Sequence, residues 1–234
     1  MASLGAPASE LRRAQAIRDY KLTVEYKHLK QNSPGGIYVV PAFGDLRLWR
    51  GVIFVRRGHY QGGIFKFRYD LPAEYPAEGS RPRVTFTSRV FHPRVDPNTG
   101  ELELHSAFPR WDPKAHWNVS VLTFIKKIFY LKDFAVEFPY NEEANEQWKE
   151  EDKRPYLHNV VKCVQESLEL FQAAICLNPC NTANLKQVGR SLYLLGKHKA
   201  ALDYLDEAVR MGHVDDWEIW HNKGLCLAYL RKFD

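Results

Sequence analysis

Four short runs rich in β-branched and aromatic residues, Ile37 to Val40, Leu46 to Val55, Ile64 to Tyr69 and Val84 to Phe86, are each bounded by Gly, Pro or Asp. Spacings this short suit hairpin links and predict an antiparallel meander rather than a crossover sheet. Upstream, Leu11, Ala14, Ile17, Leu22 and Tyr26 recur among charges as an amphipathic helix, which Asn32-Ser33-Pro34-Gly35-Gly36 ends. Downstream, Pro93 to Pro113 is rich in Pro, Asp and His with weak periodicity. An irregular stretch of about twenty residues is uncommon in compact domains and often functional. Helical patterns resume at Val119 to Tyr130, with Val121, Leu122, Ile125, Ile128 and Phe129 on one face, then at Glu142 to Glu151. A third runs from Tyr156 to Leu177 without Gly or Pro inside it.

The 234 residues are 45% hydrophobic, enough for one large or two small domains and incompatible with disorder along the whole length. No run approaches eighteen apolar residues and Met1 to Gln15 has no apolar signal core, so the sequence predicts neither a membrane span nor a secretory signal. A cytoplasmic protein is the expectation. Residues 1–165 carry 25 Lys plus Arg against 19 Asp plus Glu, and residues 166–234 carry 8 against 9. The excess is scattered through Arg47, Arg50, Arg56, Arg57, Arg81, Arg83, Arg89 and Arg94 without a stacking-aromatic motif. That pattern points to a solvated or protein-facing surface and away from nucleic acid.

The cysteines are Cys163, Cys176, Cys180 and Cys226, so the first 162 residues contain none and a disulfide framework is excluded there. Cys176 and Cys180, with His213 and His221 further on, lack a second cysteine pair. They read as buried thiols, and no metal or cofactor is expected. Asn118-Val119-Ser120 matches a glycosylation sequon but reads as a polar helix start.

Beyond residue 165 the pattern becomes repetitive. Gly189 and Gly224 stand 35 residues apart, each followed three residues on by Leu192 or Leu227, with Ala201, Leu205 and Ala208 after the first. Phe171, Ala174 and Pro179 hold the matching places of an earlier unit, and Trp220 stands four residues before Gly224. A small residue at such positions lets two helices approach while a large one fills the next gap. The spacing is similar to the tetratricopeptide repeat, and these residues are expected to form its packing.

Leu71-Pro72-Ala73-Glu74-Tyr75-Pro76, Pro82-Arg83-Val84-Thr85-Phe86, Phe91-His92-Pro93, Gly100-Glu101-Leu102 and Trp111-Asp112-Pro113 before Val121-Leu122 resemble, in order and spacing, the ubiquitin-conjugating core. The resemblance implies an α+β fold, a helix, a four-stranded antiparallel meander, an active-site segment and C-terminal helices, followed here by an all-α repeat segment. The expected division is a flexible stretch over 1–9, a core domain over 10–165 and repeats over 166–234, incomplete at the C-terminal end.

In that family a cysteine thiolate accepts ubiquitin as a thioester, and the asparagine of a His-Pro-Asn motif stabilises the oxyanion. Here the motif reads His92-Pro93-Arg94, and counting from Gly100 places Glu103 where the cysteine should stand. A carboxylate would have to form an acyl anhydride, and the adjacent His105 and Ser106 are not placed as base and nucleophile. The resemblance therefore implies a degenerate, non-catalytic site at His92, Pro93, Arg94 and Glu103.

Gly51 to Gln61, Gly63 to Phe67 and Val90 to Pro97 are similar to the inactive Fused Toes family, which also has an acidic residue at the cysteine position. That likeness implies Hook and FHIP motor-adaptor subunits as partners, at endosomal vesicles. Glu166 to Gln172, Asn184 to Val188, Leu194 to Ala201 and Asp216 to Ile219 resemble the repeats of the Bardet-Biedl syndrome protein 4 family. That second likeness implies partners in the BBSome and a place at the cilium or centrosome. The reading is an adaptor in vesicle or ciliary transport. Its alternative is a ubiquitin-pathway cofactor that binds ubiquitin or an active conjugating enzyme non-covalently, for which the sequence leaves open which of Val52, Phe54, Phe65 and Phe67 face outward.

Overall fold

Alternate residues of a strand point to opposite faces, and the strands here sort their side chains accordingly. The computed structural model describes residues 8–177, 182–212 and 215–231. Strands β1 (Ile37–Ala42), β2 (Asp45–Phe54), β3 (Ile64–Asp70) and β4 (Arg83–Phe86) form one antiparallel meander in the order β1-β2-β3-β4. Seven helices accompany it among the described residues: α1 (Ala8–Asn32), α2 (Asn118–Ile128), α3 (Glu142–Lys149), α4 (Arg154–Leu177), α5 (Thr182–Leu194), α6 (His198–Arg210) and α7 (Trp217–Leu230). The fold is α+β, with a helical repeat-like segment at its C-terminal end.

On the inner face of the sheet, Trp49, Ile53, Phe65, Phe67, Tyr69, Val84 and Phe86 are buried against Val121, Leu122, Ile125 and Ile128 of α2. Phe65 stacks on Phe129 with ring centres 5.1 Å apart, and Trp49 stacks on Tyr69 at 5.4 Å. Offset and edge-on pairs of this kind add to the area they bury. Helix α1 joins the core through Leu22, Tyr26 and Leu29, and Arg47 fastens it with a 2.7 Å ion pair to Asp19 and a hydrogen bond to the Pro72 carbonyl. Ala14 and Ile17 of the expected apolar face are exposed, because the helix meets the sheet only in its second half.

The outer face is where the two parts of the chain meet. Helix α4 runs unbroken through the expected boundary at residue 165: Tyr156, Val160, Cys163 and Val164 belong to the first core, while Leu168 and Phe171 belong to a second. That second core takes in Val52, Phe54 and Ile64 from the sheet together with Leu185, Val188 and Leu192 of α5 and Ala201, Leu205 and Ala208 of α6. Phe171 meets Phe54 edge-on at 5.7 Å, the Ser167 hydroxyl accepts from the Ile64 N–H at 3.1 Å, and Leu195 lies against Gly62. Phe65 and Phe67 therefore face in, and Val52 and Phe54 face out beneath the chain's own helices.

Within the repeat segment a Cβ on Gly189 would lie 2.6 Å from Leu205 and 3.2 Å from the Ala201 carbonyl, so α6 rests directly on that glycine. The same arrangement is not repeated at α7. That helix packs through Ile219, Asn222 and Cys226, while Trp220 is 45% exposed with the Lys223 ammonium over its ring and Gly224 faces open space. A Cβ on Gly224 would meet nothing within 4 Å, so the close approach seen at Gly189 is not made at Gly224 among the described residues. Pro179, Cys180 and His213 lie outside the described residues, as do the side chains of Ala174 and Cys176.

The two glycines give a paired prediction for thermal or urea denaturation. Gly189→Ala should lower stability by about 1–2 kcal/mol, because overpacking outweighs the gain in helix propensity. Gly224→Ala should raise it by up to about 1 kcal/mol.

Candidate functional site

The irregular stretch after β4 is organised by local hydrogen bonds. The Asp96 carboxylate accepts from the N–H groups of Asn98 and Thr99 at 2.8 and 2.7 Å, which holds its pKa below the usual carboxylate value. The turn is closed by Gly100, whose φ of +74° and whose missing Cβ, which would stand 2.2 Å from the Phe86 carbonyl, exclude other residues. The returning chain bridges Val95 to Leu102, and the Glu103 N–H donates to the Arg94 carbonyl at 2.8 Å. This hairpin-like path brings residues nine apart into contact.

His92 anchors the start of the loop. It is fully buried, its Nδ1 accepting from the Arg94 N–H at 3.0 Å and its Nε2 lying 3.1 Å from the Ile128 carbonyl at the end of α2. One nitrogen must accept and the other donate, so the geometry requires the neutral ring. Burial, together with the nearby Arg94 charge, lowers its pKa to about 3, against the raising effect of the Ile128 hydrogen bond. The Pro93 carbonyl accepts from the N–H groups of Tyr140 and Asn141, which tie the loop to the start of α3.

Arg94 and Glu103 form the centre of the site. Arg94 Nη1 lies 2.9 Å from Glu103 Oε2 and donates to Ser106 Oγ at 2.7 Å. Glu103 accepts from the Ser106 N–H and the Ser106 hydroxyl, both at 2.6 Å. The guanidinium also lies 5.8 Å from the ring centre of Phe124 on α2. The carboxylate is buried, charge-paired and held on both oxygens. Ser106 is committed to the same network. The neighbouring His105 turns instead toward Arg81, with Nδ1 3.1 Å from its Nη1, so no serine–histidine dyad is assembled. The structure brings Arg94, Glu103 and Ser106 together, and it keeps His92 apart as a buried tie.

A second feature was not legible in the sequence. A groove of about 650 Å³ runs between α1 and the loops carrying Tyr75 and Trp117, with Tyr20, Val24, His28 and His116 among its lining. At its base Glu25 accepts from the Tyr75 hydroxyl at 2.8 Å and the Asn118 N–H at 2.5 Å. Burial raises its pKa, against the lowering effect of both hydrogen bonds. The available signal was an acid placed between Leu22 and Leu29 on the buried side of a helix. Asn118 itself is buried, its amide oxygen accepting from the Tyr69 hydroxyl at 2.6 Å. It begins α2, as expected of a polar helix start, and does so from within the core, where it is inaccessible to glycosylation. Trp117, which precedes α2, is 51% exposed.

Fold and loop together define the class. Residues 21–164 match the profile of the ubiquitin-conjugating enzyme, and the chain belongs to that family. Among curated proteins it is similar to a protein AKTIP homolog of Nematostella vectensis, 38% identical over 161 residues, which cover 69% of this chain and 53% of that protein. It is 36% identical over 154 residues to a protein crossbronx homolog of Culex quinquefasciatus, covering 64% of this chain and 66% of the relative. It is 40% identical over 126 residues to the human AKT-interacting protein, covering 54% and 42%. The chain spans about half to two thirds of the length of the first two relatives.

Among the described residues no helix is long and apolar enough to cross a membrane, and no cluster of His, Cys, Asp and Glu is arranged to hold a metal ion.

Two measurements follow from this geometry. His92 has a folded-state pKa below its unfolded value, so its contribution to stability is present above about pH 6.5 and is lost as the pH falls toward about 3. Acid titration followed by circular dichroism should show a loss approaching about 1.4 kcal/mol per pH unit from this group, and His92→Gln should flatten that slope. Glu103→Ala should cost on the order of 3 kcal/mol by leaving Arg94 unpaired. Adding Arg94→Ala should restore part of that loss in a double-mutant cycle.

Proposed function

We propose that this protein is a non-enzymatic adaptor that binds other proteins through an inactive ubiquitin-conjugating fold and its helical repeats. The observation that carries this reading is the Arg94–Glu103–Ser106 network in the loop where the family keeps its reactive centre. Thioester chemistry needs a thiolate, which is both a strong nucleophile and a good leaving group. With Glu103 in the cysteine position, attack on an activated ubiquitin carbonyl would yield a mixed anhydride prone to hydrolysis. The oxygens of Glu103 are also already engaged by a cation and two hydrogen-bond donors. Arg94 in the place of the motif's asparagine directs its guanidinium to Glu103 instead of to an incoming oxyanion.

Relatives named for an interaction with AKT support a role in protein association. The finer assignment is to vesicle or ciliary transport, with Hook and FHIP subunits or BBSome subunits as partners and the endosomal surface, centrosome or cilium as the setting. It rests on the likeness of Gly51 to Gln61, Gly63 to Phe67 and Val90 to Pro97 to Fused Toes and of segments within residues 166–234 to a BBSome subunit, in a chain read as two modules. A surface built from stacked helical pairs has one recurrent use, the presentation of a face to other proteins.

Two assays test the proposal. Incubation of the full chain with activating enzyme, ATP and ubiquitin should give no thiol-reducible or hydroxylamine-sensitive adduct. A trapped adduct on any side chain of residues 10–165 reclassifies the protein as a transferase. Affinity purification from cells should recover motor-adaptor or BBSome subunits, and recovery of ubiquitin or an active conjugating enzyme in their place would favour the cofactor alternative.

A further inference from the structure

Glu25, at the base of the groove beside α1, makes no ion pair among the described residues. Lys21, one turn earlier on the same helix, is exposed and does not pair with it. The donors that do reach the carboxylate are neutral and held by the core: the hydroxyl of the buried Tyr75 and the N–H of the buried Asn118. Burial, and then the Glu25 charge beside it, keeps the Tyr75 phenol well above its usual pKa, so it remains a donor. An ionised carboxylate has about four lone-pair sites, and two donors leave room for a third. Taking such a group out of water without a cation is unfavourable, and burial accordingly raises the Glu25 pKa. A positive group placed against it would offset that cost.

The space in front of the carboxylate has the size and lining for an organic molecule. Its volume of about 650 Å³ lies within the roughly 300–1,000 Å³ of small-molecule sites. Tyr20, Val24, Leu29, Tyr75 and Trp117 are among its walls. Tyr20 is 70% exposed, and the half-exposed Trp117 lies across the groove from it on the loop before α2, so both are open to a ligand arriving from solvent. Aromatic faces attract cations as well as apolar groups. One carboxylate at the base of an aromatic and aliphatic groove therefore selects a positive group at the end of an apolar body. An anion would meet the Glu25 charge, and a neutral apolar molecule would leave it unpaired.

The geometry points to a binding site for a small organic amine, with its ammonium group paired to Glu25 and its aromatic or aliphatic body filling the groove between Tyr20, Tyr75 and Trp117. The site is separate from the Arg94–Glu103–Ser106 network, none of whose residues lines the groove. It adds a small-molecule ligand to the adaptor reading and holds or fails independently of it.

The probe is tryptamine, titrated near neutral pH into the full isotope-labelled chain. It is compared with tryptophol, in which a hydroxyl replaces the ammonium, with indole-3-acetate, and with the peptide acetyl-Leu-Lys-Leu-amide. Tryptamine should bind saturably and shift amides of residues 20–29 and 116–119. Tryptophol should bind about tenfold more weakly, the scale of one charged hydrogen bond, and indole-3-acetate should not bind. Glu25→Gln keeps the side-chain shape and an acceptor for the Asn118 N–H, and should lower tryptamine to the affinity of tryptophol. Tyr20→Ala, a change at an exposed helix position, should weaken tryptamine about threefold with the melting temperature unchanged. If Glu25→Gln unfolds the chain, the ratio of tryptamine to tryptophol affinity on the unaltered protein decides. Absence of tryptamine binding, equal affinity for tryptophol, shifts confined to another face, or binding of the lysine peptide alone would overturn the proposal.

Discussion

The pairing register of β2 with β3 is the constraint on which the rest of the molecule depends. With Ile53 opposite Phe65 and Gly51 opposite Phe67, the odd-numbered residues of both strands face α2 and Phe129. The even-numbered ones, Arg50, Val52 and Phe54 with Ile64, Lys66 and Arg68, are turned to the opposite side. A slip of one residue would exchange the two sets. Two guanidinium groups and a lysine would then enter a core built from aromatic rings, at a desolvation cost no fold of this size could sustain. The same register presents Phe54 and Ile64 to Leu168 and Phe171. It thereby makes the helical segment a covering layer on the sheet rather than a tethered neighbour.

Electrostatics in the loop after β4 follow from how completely water is excluded. His92 is held neutral because both ring nitrogens have fixed partners and its site is dry. A few residues away Arg94 and Glu103 lie against each other at 2.9 Å, and the Ser106 N–H and hydroxyl donate to the two carboxylate oxygens. A buried charge is tolerated when it is paired and hydrogen-bonded and is expelled when it is not. The network closes the loop on itself and turns its polar groups inward.

Much of this was visible in the sequence, for identifiable reasons. The four strand runs, the break at Asn32 to Gly36 and the long helix from Tyr156 carry local signals, namely β-branched and aromatic density, turn residues and uninterrupted periodicity. They appear in the structure within a few residues of their expected bounds. Gly189 with Ala201 and Leu205 was legible because close helix packing leaves a small-and-large residue pattern. Gly224 carries the same pattern, yet a Cβ there would meet nothing within 4 Å, since a repeat motif encodes a preferred contact and not the neighbour that makes it. Glu25 escaped notice because an isolated acid in a charged helix has no periodic signature. Its burial comes from Tyr75 and Asn118, 50 and 93 residues away.

The sequence alone determined the class of fold and the absence of any thiol before Cys163, because strand patterning and residue identity are properties of the chain itself. It also brought Arg94 and Glu103 within reach of each other, since the Asp96 to Gly100 turn between them is local chemistry. Only the tertiary structure decided which aromatic residues face inward, where Glu25 is buried, and that the outer face of the sheet is half closed by α4 and α5. Those outcomes depend on pairings between residues tens of positions apart. Their energies come from removing water between surfaces that no local stretch of sequence contains.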